Sequence, residues 1–442
     1  MVKMKKVYIE TLGCQMNKSD TERMSGMLSF MGYEVIDEVK DSRSADLLII
    51  NTCSIRQLSE DKAYSRLGLW GKWKRTRKNL KIVFCGCVAQ QAKESVFKRM
   101  PYVDLVMGTH NIYELPDLIS RIEKGEKVCA AGDILVKEKD LEIRREKGVN
   151  AWITITEGCD NYCTYCVVPH TRGRERSRSL EVILNEAKDA LANGFKEITL
   201  LGQNVDSFGK DLEGDINLSM LLRELNALEG NFRIRFTTSY PTDITDELIE
   251  TAVSLDKVCE CFHIPMQSGS SAVLKKMNRR YDKETYIKIA QKVREKVKDV
   301  TITSDFIAGF PGETEEQFQE TLDVIKELEL DYSNTAAYSP REITVAAKWT
   351  DLFLPEDVKI DRLVRLNNQV KESCVISNKK YIGRELEVLV EKFYNHKGKN
   401  ILTGRTRNNK IVHIPSDENL VGQFVTAKIA GAKTWYLSGI IV

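Results

Sequence analysis

Residues 151–178 read AWITITEGCDNYCTYCVVPHTRGRERSR. A strand candidate, AWITIT (151–156), runs into Cys159, Cys163 and Cys166, which stand as C-x3-C-x2-C. Three thiolates within eight residues can wrap a single cluster or ion. A zinc ribbon requires a second C-x2-C pair at a suitable distance, and the sequence has none. Three ligands without a fourth imply an iron–sulfur cluster with one open iron. Five further strand candidates follow, at 196–201, 233–238, 261–265, 301–307 and 333–338, with helical patterns between them such as 179–193 and 313–328. Six β/α units predict a partial (β/α)6 barrel, with the cysteine loop after its first strand.

Upstream, KKVYIE (5–10), ADLLII (45–50) and KIVFCG (81–86) alternate with helical patterns at 18–31 and from about 57. Strands spaced by helices predict an N-terminal doubly wound parallel-sheet domain. Cys14, Cys53 and Cys87 follow its three strands in turn. Ligands of open α/β sheets bind outside the carboxyl ends of the strands, so these three distant thiols can converge. KEKDLEIRREKGV (137–149) alternates in charge, lacks an apolar face, and reads as a solvated connector. From Lys379 the pattern changes to short alternating runs, ELEVLVEKF, NILTGRTR, KIVHIP and QFVTAKIAGA, parted by turn signals. These predict a small antiparallel β-barrel. The expected division is 1–132, a linker at 133–149, the barrel at 150–377, and the small barrel at 378–442.

Composition narrows the function classes. A chain of 442 residues suits about three domains. With 42% apolar and 29% charged residues it is neither disordered nor fibrous. Lys plus Arg total 66 against 64 Asp plus Glu, so a polyanion partner must be met by local patches. One such patch is the C-terminal domain, with eleven Lys and Arg against five Asp and Glu from Asn378 onward. Eleven cysteines, an odd number, argue against a disulfide scaffold. No signal-peptide or membrane-length apolar run is present, so the expected setting is the cytoplasm, with no membrane partner. Cys85, Cys129, Cys259, Cys261 and Cys374 read as core thiols, with Cys85 the nearest rival for a ligand role.

The words GCQMN (13–17), NTCSIR (51–56), CGCVAQ (85–90) and TEGCDNYCTYCVVPHTRGRERSR (156–178) together resemble the radical SAM (S-adenosylmethionine) methylthiotransferase family, in its tRNA branch of the MiaB type. Gln15-Met16-Asn17 and Ser54-Ile55-Arg56 set the chain apart from sister branches that act on threonylcarbamoyladenosine in tRNA or on a ribosomal protein, which remain the alternative. Val88 stands where the family often has methionine. The resemblance implies a methylthiotransferase domain, a radical SAM barrel and a C-terminal TRAM domain that binds RNA. It implies two [4Fe-4S] clusters, one on Cys159, Cys163 and Cys166 that cleaves SAM, and an auxiliary one on Cys14, Cys53 and Cys87. One SAM would donate the methyl group and another the radical, so that a methylthio group is attached to C-2 of the isopentenylated adenosine beside the anticodon. SAM contacts are expected at the strand ends, on Gln203, Asn204, Thr238, Ser239, Gln267, Asp305 and Gly309. The implied partners are a tRNA anticodon stem-loop, a flavodoxin-like or ferredoxin-like electron donor, and a sulfur source.

Three basic segments are candidates for RNA contact. Arg172, Arg174, Arg176 and Arg178 alternate, so an extended loop would put them on one face; they contact phosphates or pair with Glu175 and Glu181. KWKRTRKNLK (72–81) carries six basic residues beside Trp70 and Trp73, as an RNA patch or a solvated helix end. Lys397, Lys399, Arg405, Arg407 and Lys410 surround the turns of the small barrel. Unpaired RNA bases splay out to be read, and a target base must leave its stack to be modified.

Overall fold

A computed structural model describes residues 4–54, 57–132 and 143–442. Residues 133–142 of the expected linker, and Ile55 and Arg56 of NTCSIR, lie outside the described residues. The chain divides into two compact units. The first comprises Met1–Lys147, Glu157–Asp160 and Val167–Arg178; the second comprises Gly148–Thr156, Asn161–Cys166 and Ser179–Val442.

The first unit is a six-stranded, wholly parallel sheet. Its strands are β1 (Lys6–Leu12), β2 (Glu34–Ile36), β3 (Leu47–Thr52), β4 (Lys81–Gly86), β5 (Leu105–Met107) and β6 (Val128–Ala130), in the order β2-β1-β3-β4-β5-β6. The sequence expectation had three of these; β2, β5 and β6 have three residues each, too short to show a period. Every residue of β3 is buried, as a central parallel strand covered on both faces requires. Successive side chains enter opposite cores. Val7, Ile49 and Val83 pack with Met24 and Leu28 of α1 (Gln15–Phe30). Tyr8, Leu48, Ile82 and Phe84 pack with Leu67 and Trp70 of α2 (Gln57–Thr76) and Val88 of α3 (Cys87–Ala92). The strand order reverses between β1 and β3, the switch point at which such sheets open a crevice.

The second unit holds β7 (Asn150–Thr154); the motif segment carries the two-residue strands β8 (Thr156–Glu157) and β9 (Arg176–Ser177), of which β9 belongs to the first unit. The series continues with β10 (Glu197–Leu201), β11 (Arg233–Phe236), β12 (Cys261–His263), β13 (Thr301–Ala308) and β14 (Tyr332–Ala337). Parallel ladders join β7-β10-β11 and β12-β13-β14, and a bridge between Ile234 and Val258 links the two sets into a partial six-stranded barrel. The surrounding helices begin at side-chain caps: Ser179, Asn217, Thr245, Asp282 and Thr314 each accept a hydrogen bond from the backbone N–H three residues on. A 24-residue helix, Glu356–Lys379, follows β14 and sends Leu366, Val370 and Cys374 into the barrel core.

The C-terminal strands β15 (Glu385–His396), β16 (Lys399–Thr406), β17 (Ile411–Pro415), β18 (Phe424–Ala432) and β19 (Leu437–Ile441) close a barrel in the order β15-β16-β17-β19-β18. Four of its ladders are antiparallel, as expected, but β17 and β19 run parallel. Its turn at 405–410 seals the N-terminal ends of the β/α strands. Arg233 Nη2 donates to the Arg405 carbonyl at 2.7 Å, Arg235 Nη1 to the Arg407 carbonyl at 2.9 Å, and Thr301 Oγ1 to the Asn408 carbonyl at 2.8 Å. Among the described residues no helix is long and apolar enough to cross a membrane.

Candidate functional site

The three N-terminal cysteines stand at the carboxyl ends of the adjacent strands β1, β3 and β4. Cys14 is the N-cap of α1, Cys53 follows β3, and Cys87 opens α3. Cys53 lies within hydrogen-bonding reach of both Cys14 and Cys87. These bonds to Cys53, helped by the charge of Arg172, outweigh burial and bring Cys14 to about 6 and Cys87 to about 7; the shared hydrogen bonds and burial push the Cys53 thiol up. Thiolates, the form that ligates iron, are therefore favoured at the two flanking positions.

The short sequence words around these cysteines form one scaffold. Asn17 Oδ1 accepts from the Cys14 backbone N–H at 3.2 Å and from Cys14 Sγ at 3.4 Å. Asn17 Nδ2 donates to Asn51 Oδ1 at 3.0 Å, and Asn51 Nδ2 returns to the Asn17 carbonyl at 2.8 Å. Both flanking glycines serve this contact. A Cβ at Gly13 would fall 2.2 Å from Asn17 Oδ1, and one at Gly86, where φ is +93°, would fall 2.5 Å from Asn51 Oδ1 and the Thr52 carbonyl. Gly86→Ala is therefore expected to lower the urea midpoint, by about 1–3 kcal/mol of stability; an unchanged midpoint would show that the asparagine pair is not held by this close approach.

Arg172 is buried, 4% exposed, and its Nη2 donates to Asp20 Oδ2 at 2.7 Å. It is therefore coupled to Cys14 and Cys87 and held away from solvent. The alternating arginines do not share one face. Arg178 is buried, Arg176 lies 3.7 Å from Glu157, and only Arg174 is well exposed, paired with Asp160 at 3.1 Å. The glycine at 173, with φ +75°, breaks the extended geometry that would have aligned them.

Among the described residues no set of three His, Cys, Asp or Glu side chains meets the geometry for a single metal ion. A [4Fe-4S] cluster asks for something else, one thiolate on each of several irons. The donor set fits that group: three converging thiols, the buried cation Arg172, and the hydroxyls of Thr52 and Ser54 on either side of Cys53, buried without a hydrogen-bond partner among the described residues. Cys85 packs instead into the core, its Sγ 4.0 Å from Met24 Sδ, and burial pushes its thiol up.

Of the second cysteine set, Cys159 belongs to the first unit, where its N–H donates to the Gly173 carbonyl. Cys163 and Cys166 belong to the second, in a loop held by residues 276–279. The sequence reading missed this holding segment, KMNRRY (276–281), because none of its residues is itself a ligand type.

The expected SAM contacts lie after the carboxyl ends of β10 to β13, except Asp305, which is inside the carboxyl half of β13. Gln203 and Asn204 follow β10, with Asn204 Nδ2 donating to Asp243 at 2.7 Å. Thr238 and Gln267 adopt left-handed φ values of +75° and +78°, and Gly309 of +73°. Ser239 is buried and donates to Asp206 Oδ1 at 3.0 Å; burial raises that carboxyl to about 8. Asp305 Oδ1 accepts from Asn334 Nδ2 at 2.9 Å, and its Oδ2 lies 3.3 Å from His263 Nε2. His263 joins this polar row through Thr303 as well, its Nδ1 lying 2.8 Å from Thr303 Oγ1.

The basic patches are thinner than their sequence suggests. Arg407 forks onto Glu260 at 2.7 Å and the Val258 carbonyl, Lys410 pairs with Asp331 at 3.0 Å, and Arg405 pairs with Glu391 at 3.1 Å. A hairpin that must seal the end of the barrel uses its own charges to do so. Lys397 and Lys399 remain exposed. In the 72–81 run, Lys74 pairs with Asp104 and Arg77 with backbone carbonyls, while Trp70 is core. Lys72, Arg75 and Lys78 are exposed.

Residues 6–108 match the Uncharacterized protein family UPF0004, 153–325 the radical SAM superfamily, and 379–442 the TRAM domain. A tRNA-2-methylthio-N(6)-dimethylallyladenosine synthase of Clostridium botulinum (strain Alaska E43 / Type E3) is 45% identical over 98% of this chain and 95% of its own. One from Clostridium perfringens (strain SM101 / Type A) is 45% identical over 99% and 98%. The chain belongs to the tRNA-2-methylthio-N(6)-dimethylallyladenosine synthase family. As a member of this synthase family it is a radical SAM transferase, with SAM and [4Fe-4S] clusters as its cofactors. The fold is also that of the radical SAM methyltransferase TsrM from Kitasatospora setae, which matches 78% of this chain and 77% of its own at a TM-score of 0.58 and 14% identity.

Proposed function

We propose that this chain attaches a methylthio group to C-2 of the isopentenylated adenosine next to the anticodon in tRNA. The observation that carries the reading is the convergence of Cys14, Cys53 and Cys87 on adjacent strand ends, in a chain whose barrel has its own C-x3-C-x2-C loop. Two cysteine trios suit two tasks. Cys159, Cys163 and Cys166 would hold the cluster that cleaves SAM, and Cys14, Cys53 and Cys87 the auxiliary one. When bound, these groups supply the electron that generates a radical from one SAM and the site at which sulfur accepts a methyl group from another.

The rest is the work of the chain. Arg172, fixed by Asp20, favours the thiolate forms of Cys14 and Cys87. Gln203, Ser239 and Gln267 offer polar groups just past the carboxyl ends of the barrel strands, and Asp305 one in the carboxyl half of β13, where SAM would be gripped. The left-handed backbone at Thr238 and Gln267 turns the chain sharply at two of these ends. Arg174, Lys397 and Lys399 present exposed charge for the phosphates of the anticodon stem-loop. The electron would come from a flavodoxin-like or ferredoxin-like donor and the sulfur from a separate source, in the cytoplasm.

The test is anaerobic incubation of the reconstituted protein with isopentenylated tRNA, SAM, sulfide and reductant, followed by mass analysis of the nucleosides. The expected result is the methylthio derivative of isopentenyladenosine. Its absence, with product on threonylcarbamoyladenosine instead, would overturn the reading.

A further inference from the structure

The segment Lys276–Tyr281 grips the loop that carries Cys163. Thr164 donates its backbone N–H to the Met277 carbonyl at 3.1 Å and its hydroxyl to the Lys276 carbonyl at 3.0 Å. Asn278, at φ +59°, sends Nδ2 to the Tyr162 carbonyl at 3.0 Å. Arg279 adds a contact to the sulfur itself: Nη1 donates to Cys163 Sγ at 3.5 Å. Its other nitrogens are occupied, Nη2 by the Pro265 carbonyl at 2.7 Å and Nε by Tyr281 Oη at 2.6 Å. The rings of Tyr240 and Tyr281 lie 4.5 and 4.9 Å from the guanidinium carbon. Pro265, Tyr281 and Tyr240 thus fix the plane of the guanidinium, and within it Nη1 points at Cys163.

We propose that Arg279 is a positioning residue whose hydrogen bond to Cys163 raises the reduction potential of the SAM-cleaving cluster without being needed for the cluster to bind. This rests on the reading that Cys163 is a ligand of that cluster. Reduction adds an electron to the iron and its thiolates together. A cationic donor held on a ligand sulfur stabilises the more negative, reduced state more than the oxidised one, and hydrogen bonds to sulfur are among the levers that set such potentials. The rigidity of the fork matters. A lysine at 279 would keep the charge but could not reach the sulfur, the Pro265 carbonyl and Tyr281 at once.

The experiment uses the full chain carrying Cys14→Ala, Cys53→Ala and Cys87→Ala, so that one cluster remains, with potentiometric titration followed by electron paramagnetic resonance. With Arg279→Met added, the iron content should stay at about four per chain. The ratio of reduced to oxidised cluster at a fixed potential should fall about tenfold, equivalent to about 59 mV for a one-electron couple. Arg279→Lys should fall between. If the triple-alanine chain itself binds no iron, the assignment of Cys163 fails and the inference with it. If it binds iron while both Arg279 variants keep iron and an unmoved potential, the inference alone fails. Loss of iron in both variants also overturns it, since Arg279 would then be an assembly residue.

Discussion

A chain in which Cys14, Cys53 and Cys87 are all alanine is expected to reconstitute with about four irons instead of about eight, to go on cleaving SAM, and to yield no methylthio product. The split follows from where the two trios lie. The N-terminal thiols sit at the carboxyl ends of β1, β3 and β4, while Cys163 and Cys166 belong to a loop held by Lys276–Arg279. The substitutions should leave the sheet intact. Asn17, Asn51 and Thr21 keep their mutual hydrogen bonds, and Arg172 keeps Asp20. Circular dichroism should thus be unchanged while iron halves. Retention of about eight irons, or methylthio product from the triple variant, would contradict the assignment of the auxiliary cluster.

What the sequence disclosed, and what it hid, follow from range. The cysteine loop was legible because its three cysteines fall within eight residues. The N-terminal trio was legible because each thiol closes a strand with its own apolar run, and parallel strands bring their ends to one edge. The partner of Arg172 was not legible. Asp20 lies 152 residues away on α1, and an alternating run of arginines reads as a surface stripe until Gly173 is seen to break it. The 276–281 clasp was hidden for the same reason: Arg279 reaches Cys163 across 116 residues. β2, β5 and β6 were missed because three residues show no period, and the long helix Glu356–Lys379 because its buried positions are few and spread among charges.

Glu197→Ala is expected to destabilise the barrel by about 3–5 kcal/mol, because it removes the buried carboxylate shared by two buried guanidinium groups and leaves Arg233 with the more distant Glu387, at 4.0 Å. Glu197 begins β10 and is about 1% exposed; its Oε2 accepts from Arg233 Nε at 2.8 Å and from Arg235 Nη2 at 3.0 Å. Those same arginines donate to the carbonyls of Arg405 and Arg407, so one carboxylate orients the cations that fasten the C-terminal barrel to the strand ends. Burial alone would push the Glu197 carboxyl up, but Arg235 and Arg233 outweigh it and hold it at about 2, against an ordinary 4.5. A carboxyl depressed by folding contributes stability above its unfolded value and loses it as pH falls through the folded one. The wild type should therefore lose this contribution progressively between about pH 4.5 and 2, and Glu197→Gln should show a flatter acid profile over that window. Equal urea midpoints for Glu197→Ala and the wild type at pH 7 would show that the pair carries no net stability. Ending the chain at Asn378 would remove the carbonyl acceptors too, so such a truncation reports on the barrel's stability before it reports on RNA. Affinity for tRNA is better probed through the exposed Lys397 and Lys399, whose replacement leaves the seal at 405–410 untouched.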